Sequence, residues 1–373
     1  MPRVLYVASD LGASGPAKLV SLLAPALPQL RFEVAVVDLT GDGSATLMQP
    51  LQDADVPCYA TPMNHVTDLR GLRNLYRVIT TFAPDVVHVC GPRAARAIAM
   101  LWHLGSLRNA KVVASGVDTP WHGLPARWGR ILTRRVTRFV ALTQADAARY
   151  SANGVPGDRV TVIPPAVASG RPTPDGAAFR AAFGIPPSAR LVIAAGRFDS
   201  VAGLKSAVWA FDVVKYVAPD LHLVLVGDGP ERDRLERFAK ALGFDDYRVH
   251  FVGVPDDVPQ LLGHADLVWV THERGGVNVA LEAMAAGKPV VAMGNPDLAG
   301  VVVEGVTGRF APPGDRVRLA AISNELLEAP EVARALGEAG RRRAVEHFGL
   351  PAMAARYAAL YDELVRTPSP AAG

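Results

Sequence analysis

The sequence predicts an α/β protein made of two successive units, each a parallel β-sheet covered on both faces by helices. Three observations lead there. Apolar runs of strand length alternate with amphipathic patterns of helix length along most of the chain. A stretch rich in proline, Pro164 to Pro174, interrupts the alternation once, after which a second series begins. The length of 373 residues exceeds what one hydrophobic core usually supports.

In the first series the strand candidates are Val4–Ala8, Phe32–Val37, Cys58–Thr61, Val86–Val89, Lys111–Ala114, Phe139–Leu142 and Val160–Ile163. Helical patterns lie between them at 17–28, 44–54, 69–82, 92–105, 124–135 and 143–152. Nearly continuous apolar strands separated by helices describe a sheet buried on both faces. The second series has strands at Leu191–Ala195, Leu221–Val226, His250–Val252, Leu267–Val270 and Pro289–Ala292. Its helices fall at 204–217, 231–242, 315–328 and 331–346. A final helix at 352–366 carries Met353, Tyr357, Leu360, Tyr361 and Leu364 on one stripe, which needs a surface to cover it. The predicted organisation is a first unit at 1–165, a linker at 166–174 and a second unit at 175–350.

Composition narrows the function classes. Half the residues are apolar and 20% are charged, as in a well-cored globular protein, and the net charge of +3 is too small to argue for a nucleic-acid partner. Cys58 and Cys90 fall in or beside apolar strands and read as buried thiols rather than a disulfide or metal site. The start of the chain runs straight into a strand without a signal-peptide pattern, and no uncharged apolar run approaches the roughly 20 residues of a spanning helix. The expected location is cytoplasmic.

The most informative stretch is Asp266 to Met293. It reads as a buried strand, a polar loop with Gly275 and Gly276, a helix from Val277, a C-cap at Gly287 and a further strand. The helix N-terminus then faces the carboxyl edge of the sheet, where free N–H groups and the helix dipole favour anions. Glu282, within that helix, is placed to accept hydrogen bonds from a ribose, and reads equally well as a solvated helix glutamate. Two glycine turns follow earlier strands: Gly196-Arg197-Phe198, and Gly227-Asp228-Gly229-Pro230-Glu231, where the glycines permit close backbone approach.

The order of these motifs, continued by Glu282-Ala283-Met284-Ala285-Ala286-Gly287-Lys288-Pro289-Val290-Val291, Gly305-Val306-Thr307-Gly308 and Pro312-Pro313-Gly314-Asp315, resembles the C-terminal domain of the GT-B glycosyltransferases of family 4, the glycosyl group 1 family. The resemblance runs from about Leu191 to His347. It is looser in the first half, through Asp85-Val86-Val87-His88-Val89, Ala141-Leu142-Thr143 and Val162-Ile163-Pro164. It implies two Rossmann-like domains around a cleft, the second binding a nucleotide-diphosphate sugar and the first an acceptor, with the last helix returning to the first domain. Transfer is expected with retention of configuration and without metal or other cofactor. Arg197 matches the family's phosphate-contacting arginine and Glu282 its ribose carboxylate. The candidate donor set is Ser14, Gly15, Arg197, Gly227, Gly276, Val277 and Glu282, joined by Arg274, which departs from the family but stands in the loop entering the helix, where it could face an anion.

Four positions depart from the family. Ala202 stands where a lysine is usual before Gly203, and Arg274 where a second glutamate is usual. Asn295 to Gly300 replaces a Gly-Gly-x-x-Glu loop, and a histidine is absent from Ser115 to Thr119. Loss of one preorganised phosphate donor costs roughly 3–4 kcal/mol of transition-state stabilisation. Lys205, one turn beyond Ala202, is the candidate replacement cation and is grouped with Arg197 as catalytic, against the alternative of a solvated helix lysine. These departures keep open a non-catalytic binding or partner protein with a degenerate donor site. An epimerase on the same fold would need a proton-moving constellation that the sequence does not place.

On the first unit, Ser14 and Gly15 read as cleft residues or as a plain helix cap with Ser14 as N-cap. His88, Asp118 and Trp121 are acceptor-side candidates, although a histidine at a strand end is more often packed. The segment 123–138 carries Arg127, Arg130, Arg134, Arg135 and Arg138 without an acid. It reads as a surface helix, or as a peripheral contact with an anionic membrane face.

Overall fold

The computed structural model describes residues 1–12, 14–41, 45–63, 65, 68–102, 110–117, 133–167, 176–244, 248–254 and 258–367. Asp118, Trp121, most of the basic segment 123–138 and most of the linker stretch 166–174 lie outside these residues. The chain divides into two compact units, Met1–Ala166 with Leu350–Gly373, and Val167–Gly349.

The first unit is a parallel sheet of β1 (Arg3–Ala8), β2 (Glu33–Asp38), β3 (Cys58–Ala60), β4 (Val86–Cys90), β5 (Lys111–Ser115), β6 (Arg138–Ala141) and β7 (Val160–Val162), in the order β3-β2-β1-β4-β5-β6-β7. Helices α1 (Gly15–Ala26), α2 (Ala45–Asp53), α3 (Leu69–Phe82), α4 (Pro92–Trp102) and α5 (Gln144–Ala152) connect or cover the strands. Along β1, Leu5 and Val7 enter one core while Val4, Tyr6 and Ala8 enter the other, which is why the strand sequence lacks a polar face. Ser14 caps α1, its hydroxyl accepting from the Ala17 amide at 3.2 Å.

The last helix, Leu350–Arg366, gives its stripe to this unit: Met353, Tyr357, Leu360, Tyr361 and Leu364 are buried in the core with Tyr6 and Val86. This corrects the acceptor-side reading of His88. Its ring is fully buried beneath that helix, with Nδ1 2.5 Å from the Tyr361 hydroxyl and Nε2 2.8 Å from the Ser115 hydroxyl. The Tyr361 hydroxyl also lies 2.9 Å from that of Tyr6. His88 is a core group that joins β4 to β5 and to the last helix. Tyr361→Phe removes a hydroxyl shared by two buried partners, and is expected to lower stability by about 2 kcal/mol, read as a shift of the denaturant midpoint at constant slope. Of the basic segment's arginines, Arg134, Arg135 and Arg138 are described, and the Arg138 guanidinium binds the Glu363 carboxylate at 2.6 Å and the Asp158 carbonyl. That arginine serves to hold the last helix to β6.

The second unit has β8 (Arg190–Ala195), β9 (Leu221–Val226), β10 (Val249–Gly253), β11 (Leu267–Val270), β12 (Val290–Met293) and β13 (Gly308–Ala311), parallel and in the order β10-β9-β8-β11-β12-β13. Its helices are α6 (Gly176–Ala182), α7 (Leu204–Val214), α8 (Arg232–Ala241), α9 (Val258–Leu262), α10 (Val277–Ala285), α11 (Arg316–Glu328) and α12 (Pro330–His347). Val192 and Ala194 of β8 face one core; Leu191, Ile193 and Ala195 face the other. In both sheets the strand order reverses beside the first strand of the unit, between β1 and β4 and between β8 and β11. Open parallel sheets bind ligands outside the carboxyl ends at such reversals. Among the described residues no helix is long and apolar enough to cross a membrane.

Candidate functional site

At the β8–β11 reversal the loops leaving four strands are tied together by backbone hydrogen bonds. The Gly196 amide donates to Val226 O at 3.0 Å, Phe198 N to Asp228 O at 2.9 Å, and Gly227 N to Gly253 O at 2.6 Å. Across the reversal, Thr271 Oγ1 donates to Ala202 O at 3.0 Å and Glu273 N to Val201 O at 3.0 Å. The loop after β12 braces the same place: Asn295 Nδ2 donates to His272 O at 2.8 Å, and the Gly275 amide donates to Asp297 Oδ2 at 2.8 Å. Both Asn295 and Asp297 are buried. The segment that departs from the family's Gly-Gly-x-x-Glu loop therefore acts here as a buckle for the loop before α10.

Two helices start at this edge, and each starts from a glycine in the left-handed region, Gly203 for α7 and Gly276 for α10. Neither receives a side-chain cap and neither has an acid in its first turn. Their leading N–H groups are thus unclaimed by side chains, an arrangement that attracts anions. Gly203 and Gly276 are also needed for space. A Cβ at Gly203 would lie 2.2 Å from Thr271 O, and one at Gly276 would lie 2.9 Å from His272 Cγ.

Arg197 follows β8 with its side chain 73% exposed, and its Nε stands 3.8 Å from Asp199 Oδ2. Asp199 is fixed through its other oxygen, which accepts from Val201 N at 2.9 Å and Ala202 N at 3.0 Å. A cation held loosely beside two uncapped helix starts is free to meet an anionic ligand. Val277 is buried as the first residue of α10, and Glu282 is buried in its second turn. That excludes the solvated-glutamate reading of Glu282. Arg274 is exposed in the loop before α10. Gly227 packs against the Gly196 carbonyl. Ser14 and Gly15 belong to the first unit, at the start of α1.

Lys205 is placed differently from the expectation. Its ammonium sits over the Phe238 ring of α8, 4.8 Å from the centroid. A cation–π contact on the helix layer occupies the side chain that was to replace the missing lysine, so Lys205 is not part of the glycine cluster. Sequence reasoning also passed over His272. This residue directly follows Thr271 at the end of β11, its ring beside Gly196 and Gly276. Burial lowers its pKa from the ordinary value of 6.5 to about 4, with Asp199 pulling weakly the other way. The signal available in the sequence was a histidine immediately after a buried strand at the carboxyl edge, flanked in space by glycines.

Among the described residues, no group of three or more His, Cys, Asp and Glu side chains is arranged to hold a metal ion.

Residues 13–171 match the model of Glycosyltransferase Family 4, and residues 176–343 that of Glycosyl transferases group 1. The chain is 32% identical over 185 residues to N-acetyl-alpha-D-glucosaminyl L-malate synthase of Bacillus anthracis, covering 49% of this chain and 48% of that one. It thus spans about half the length of that relative. It is 30% identical over 288 residues to the lipopolysaccharide core biosynthesis glycosyltransferase LpsD of Rhizobium meliloti, covering 77% of each. The crystal structure of Anabaena HepE in complex with UDP-glucose shares the fold, with a TM-score of 0.82 at 21% identity over 97% of this chain and 100% of that one. With family matches in both units and a 30% identical relative aligned across 77% of each chain, the chain belongs to glycosyltransferase family 4, the glycosyl transferases group 1, and its two Rossmann-like units are those of the GT-B fold.

Proposed function

We propose that the protein is a glycosyltransferase that takes a sugar from a nucleotide-diphosphate donor bound at the carboxyl edge of the second sheet. The observation that carries this reading is the pair of uncapped helix N-termini, at Gly203 and Gly276, on either side of the β8–β11 reversal with the exposed guanidinium of Arg197 nearby. Departure of a nucleoside diphosphate develops negative charge on the phosphate oxygens. Fixed N–H groups and one guanidinium stabilise that charge without reorganising. Glu282 accepts from the nucleotide ribose, and Gly276 and Val277 present backbone amides to the donor. Transfer proceeds with retention of configuration and without a metal, onto an acceptor held by the first unit. Family membership supports a nucleotide-sugar donor, and HepE, which shares the fold, binds UDP-glucose. The replacements at Ala202 and Arg274 favour the second reading, a binding or partner protein whose donor site no longer turns over.

Titration of UDP, GDP and ADP and their common sugars, by calorimetry and thermal shift, tests the proposal on the wild type, Arg197→Ala and Glu282→Gln. One nucleotide is expected to raise the melting temperature, and each substitution to weaken its binding by about tenfold or more, the cost of losing a charged hydrogen-bond partner. If no nucleotide binds the wild type at millimolar concentration, the transferase reading fails and the degenerate-site reading replaces it.

A further inference from the structure

His272 is the polar side chain at this edge for which the fold provides a place but no partner. Its ring fills the space beside two glycines: a Cβ at Gly196 would stand 3.1 Å from both Nε2 and Cε1, and one at Gly276 would stand 2.9 Å from Cγ. A side chain at Gly276 would displace the ring, and one at Gly196 would press tightly on it. The main chain of His272 is pinned as well, because its carbonyl accepts from buried Asn295. Nδ1 is sealed from solvent and has no hydrogen-bond partner among the described residues. Nε2 has none either among the described residues; it lies next to Gly196 and, unlike Nδ1, is not fully sealed from solvent.

The proton's position follows from these two environments. On Nδ1 it would be a buried donor with nothing to receive it. On Nε2 it lies beside Gly196 on the nitrogen that is not fully sealed, and Nδ1 is left as an unpaired acceptor, the less costly orphan. The ring therefore presents an uncharged N–H beside Gly196, one residue from Arg197. The same spot is where the family's usual lysine is missing, since a Cβ at Gly196 would also stand 3.0 Å from the Ala202 Cβ. Ala202 is buried and carries no polar group. Lys205, engaged with Phe238, does not fill the gap.

We propose that His272 is a donor-specificity residue, giving a neutral hydrogen bond from Nε2–H to a phosphate oxygen of the bound nucleoside diphosphate at the place left without a cation by Ala202. The proposal rests on the donor site described under the proposed function and adds to it the group that recognises the diphosphate. A neutral N–H discriminates by geometry more than by charge. The site is therefore built to prefer a correctly placed diphosphate over anions in general, unlike a lysine, which attracts any anion.

The test compares the wild type with His272→Phe, which keeps a ring between the two glycines but removes the N–H, and with His272→Gln, which restores an N–H donor. Whichever nucleoside diphosphate binds the wild type is titrated alongside its monophosphate and its nucleoside. His272→Phe is expected to weaken the diphosphate by about 10- to 100-fold, as for a lost hydrogen bond to a charged group, while nucleoside affinity stays within about twofold. His272→Gln should recover most of the diphosphate affinity. Equal diphosphate binding by wild type and His272→Phe would overturn the proposal and leave the ring as packing. So would an equal loss for nucleoside and diphosphate. If His272→Phe unfolds, the ratio of diphosphate to nucleoside affinity in His272→Gln and in His272→Ala decides, with an unchanged ratio in both counting against it. Absence of any nucleotide binding by the wild type is a different result, because it removes the donor site itself and the inference with it.

Discussion

Gly227→Ala is expected to destabilise the second unit by about 3–5 kcal/mol, combining the cost of a backbone conformation reserved for glycine with that of overpacking. Gly227 directly follows β9 with φ +137°, and a Cβ there would lie 1.9 Å from the Gly196 carbonyl oxygen and 3.1 Å from Phe198 Cε1. The obstruction is a backbone atom in a strand-end loop, so no rotamer change relieves it. Its own amide is committed to Gly253 O at 2.6 Å, which prevents the loop from swinging away. The melting temperature should fall by about 10 °C for a unit of this size. Because the displaced carbonyl belongs to the residue before Arg197, donor affinity should fall too, even at temperatures where the variant is folded. Gly300→Ala is the control: no atom lies within 4 Å of its Cβ position and its φ is not in the left-handed region. It should melt within about 1 °C of the wild type. A Gly227→Ala protein that melts like the Gly300→Ala control would rule out the close packing of Gly227 on the Gly196 carbonyl.

That close approach was legible in the sequence as a glycine pair after a strand, and so was most of the framework. Strands such as Leu221–Val226 and Leu267–Val270 are buried on both faces, so their letters are apolar throughout and their limits coincide with the structure. Legibility fell where burial is one-sided. The edge strand Gly308–Ala311 went unread because a glycine and an arginine occupy half of it. It is held in part by side chains, the Phe310 amide donating to Glu304 Oε2 at 2.6 Å with Arg309 3.1 Å from the same carboxylate. The apolar pattern carries helix α7 to 217, but the helix stops at Val214. Tyr216 and Val217 continue the apolar pattern in letters but are 77% and 62% exposed, and Lys215 turns back to bond Leu242 O. The five-residue helix α9 is too short to show a period.

At the site, motif order located the correct edge, but which side chains converge there depends on contacts remote in sequence. Arg197 and Glu282 lie on the edge loop and the helix expected for them. Lys205 was chosen by helical spacing from Ala202, and the Phe238 ring on another helix decides where its ammonium goes. His272 was read as part of a polar loop; its importance arises from Gly196, 76 positions away in the chain and adjacent in space. His88 illustrates the opposite error. A polar residue at a strand end suggests a surface, and only the return of a helix from the far end of the chain covers it.

His88 and His272 together predict an unusual acid sensitivity. Burial lowers His88 from 6.5 to about 3, and its neighbours Tyr6, Tyr357, Tyr361, Cys90 and Ser115 supply no charge to offset this. His272 falls to about 4. Each binds its proton more weakly in the folded chain than in the unfolded one, so acid favours unfolding. The stability they contribute is complete above pH 6.5. It is lost progressively as pH falls below that value, and the loss ends only near pH 4 for His272 and pH 3 for His88. At pH 5 each ring should have cost its own unit about 2 kcal/mol relative to pH 7.5, and about 4 kcal/mol in all. Denaturant titrations at pH 7.5, 6.5, 5.5 and 5.0 check the slope. His88→Gln will be weaker at pH 7.5, having lost ring contacts to Tyr361 and Ser115. Its first unit should lose about 1.4 kcal/mol less per pH unit below 6.5 than the wild type does. An unchanged slope in that variant would show that His88 is not held neutral, and would remove the core role assigned to it.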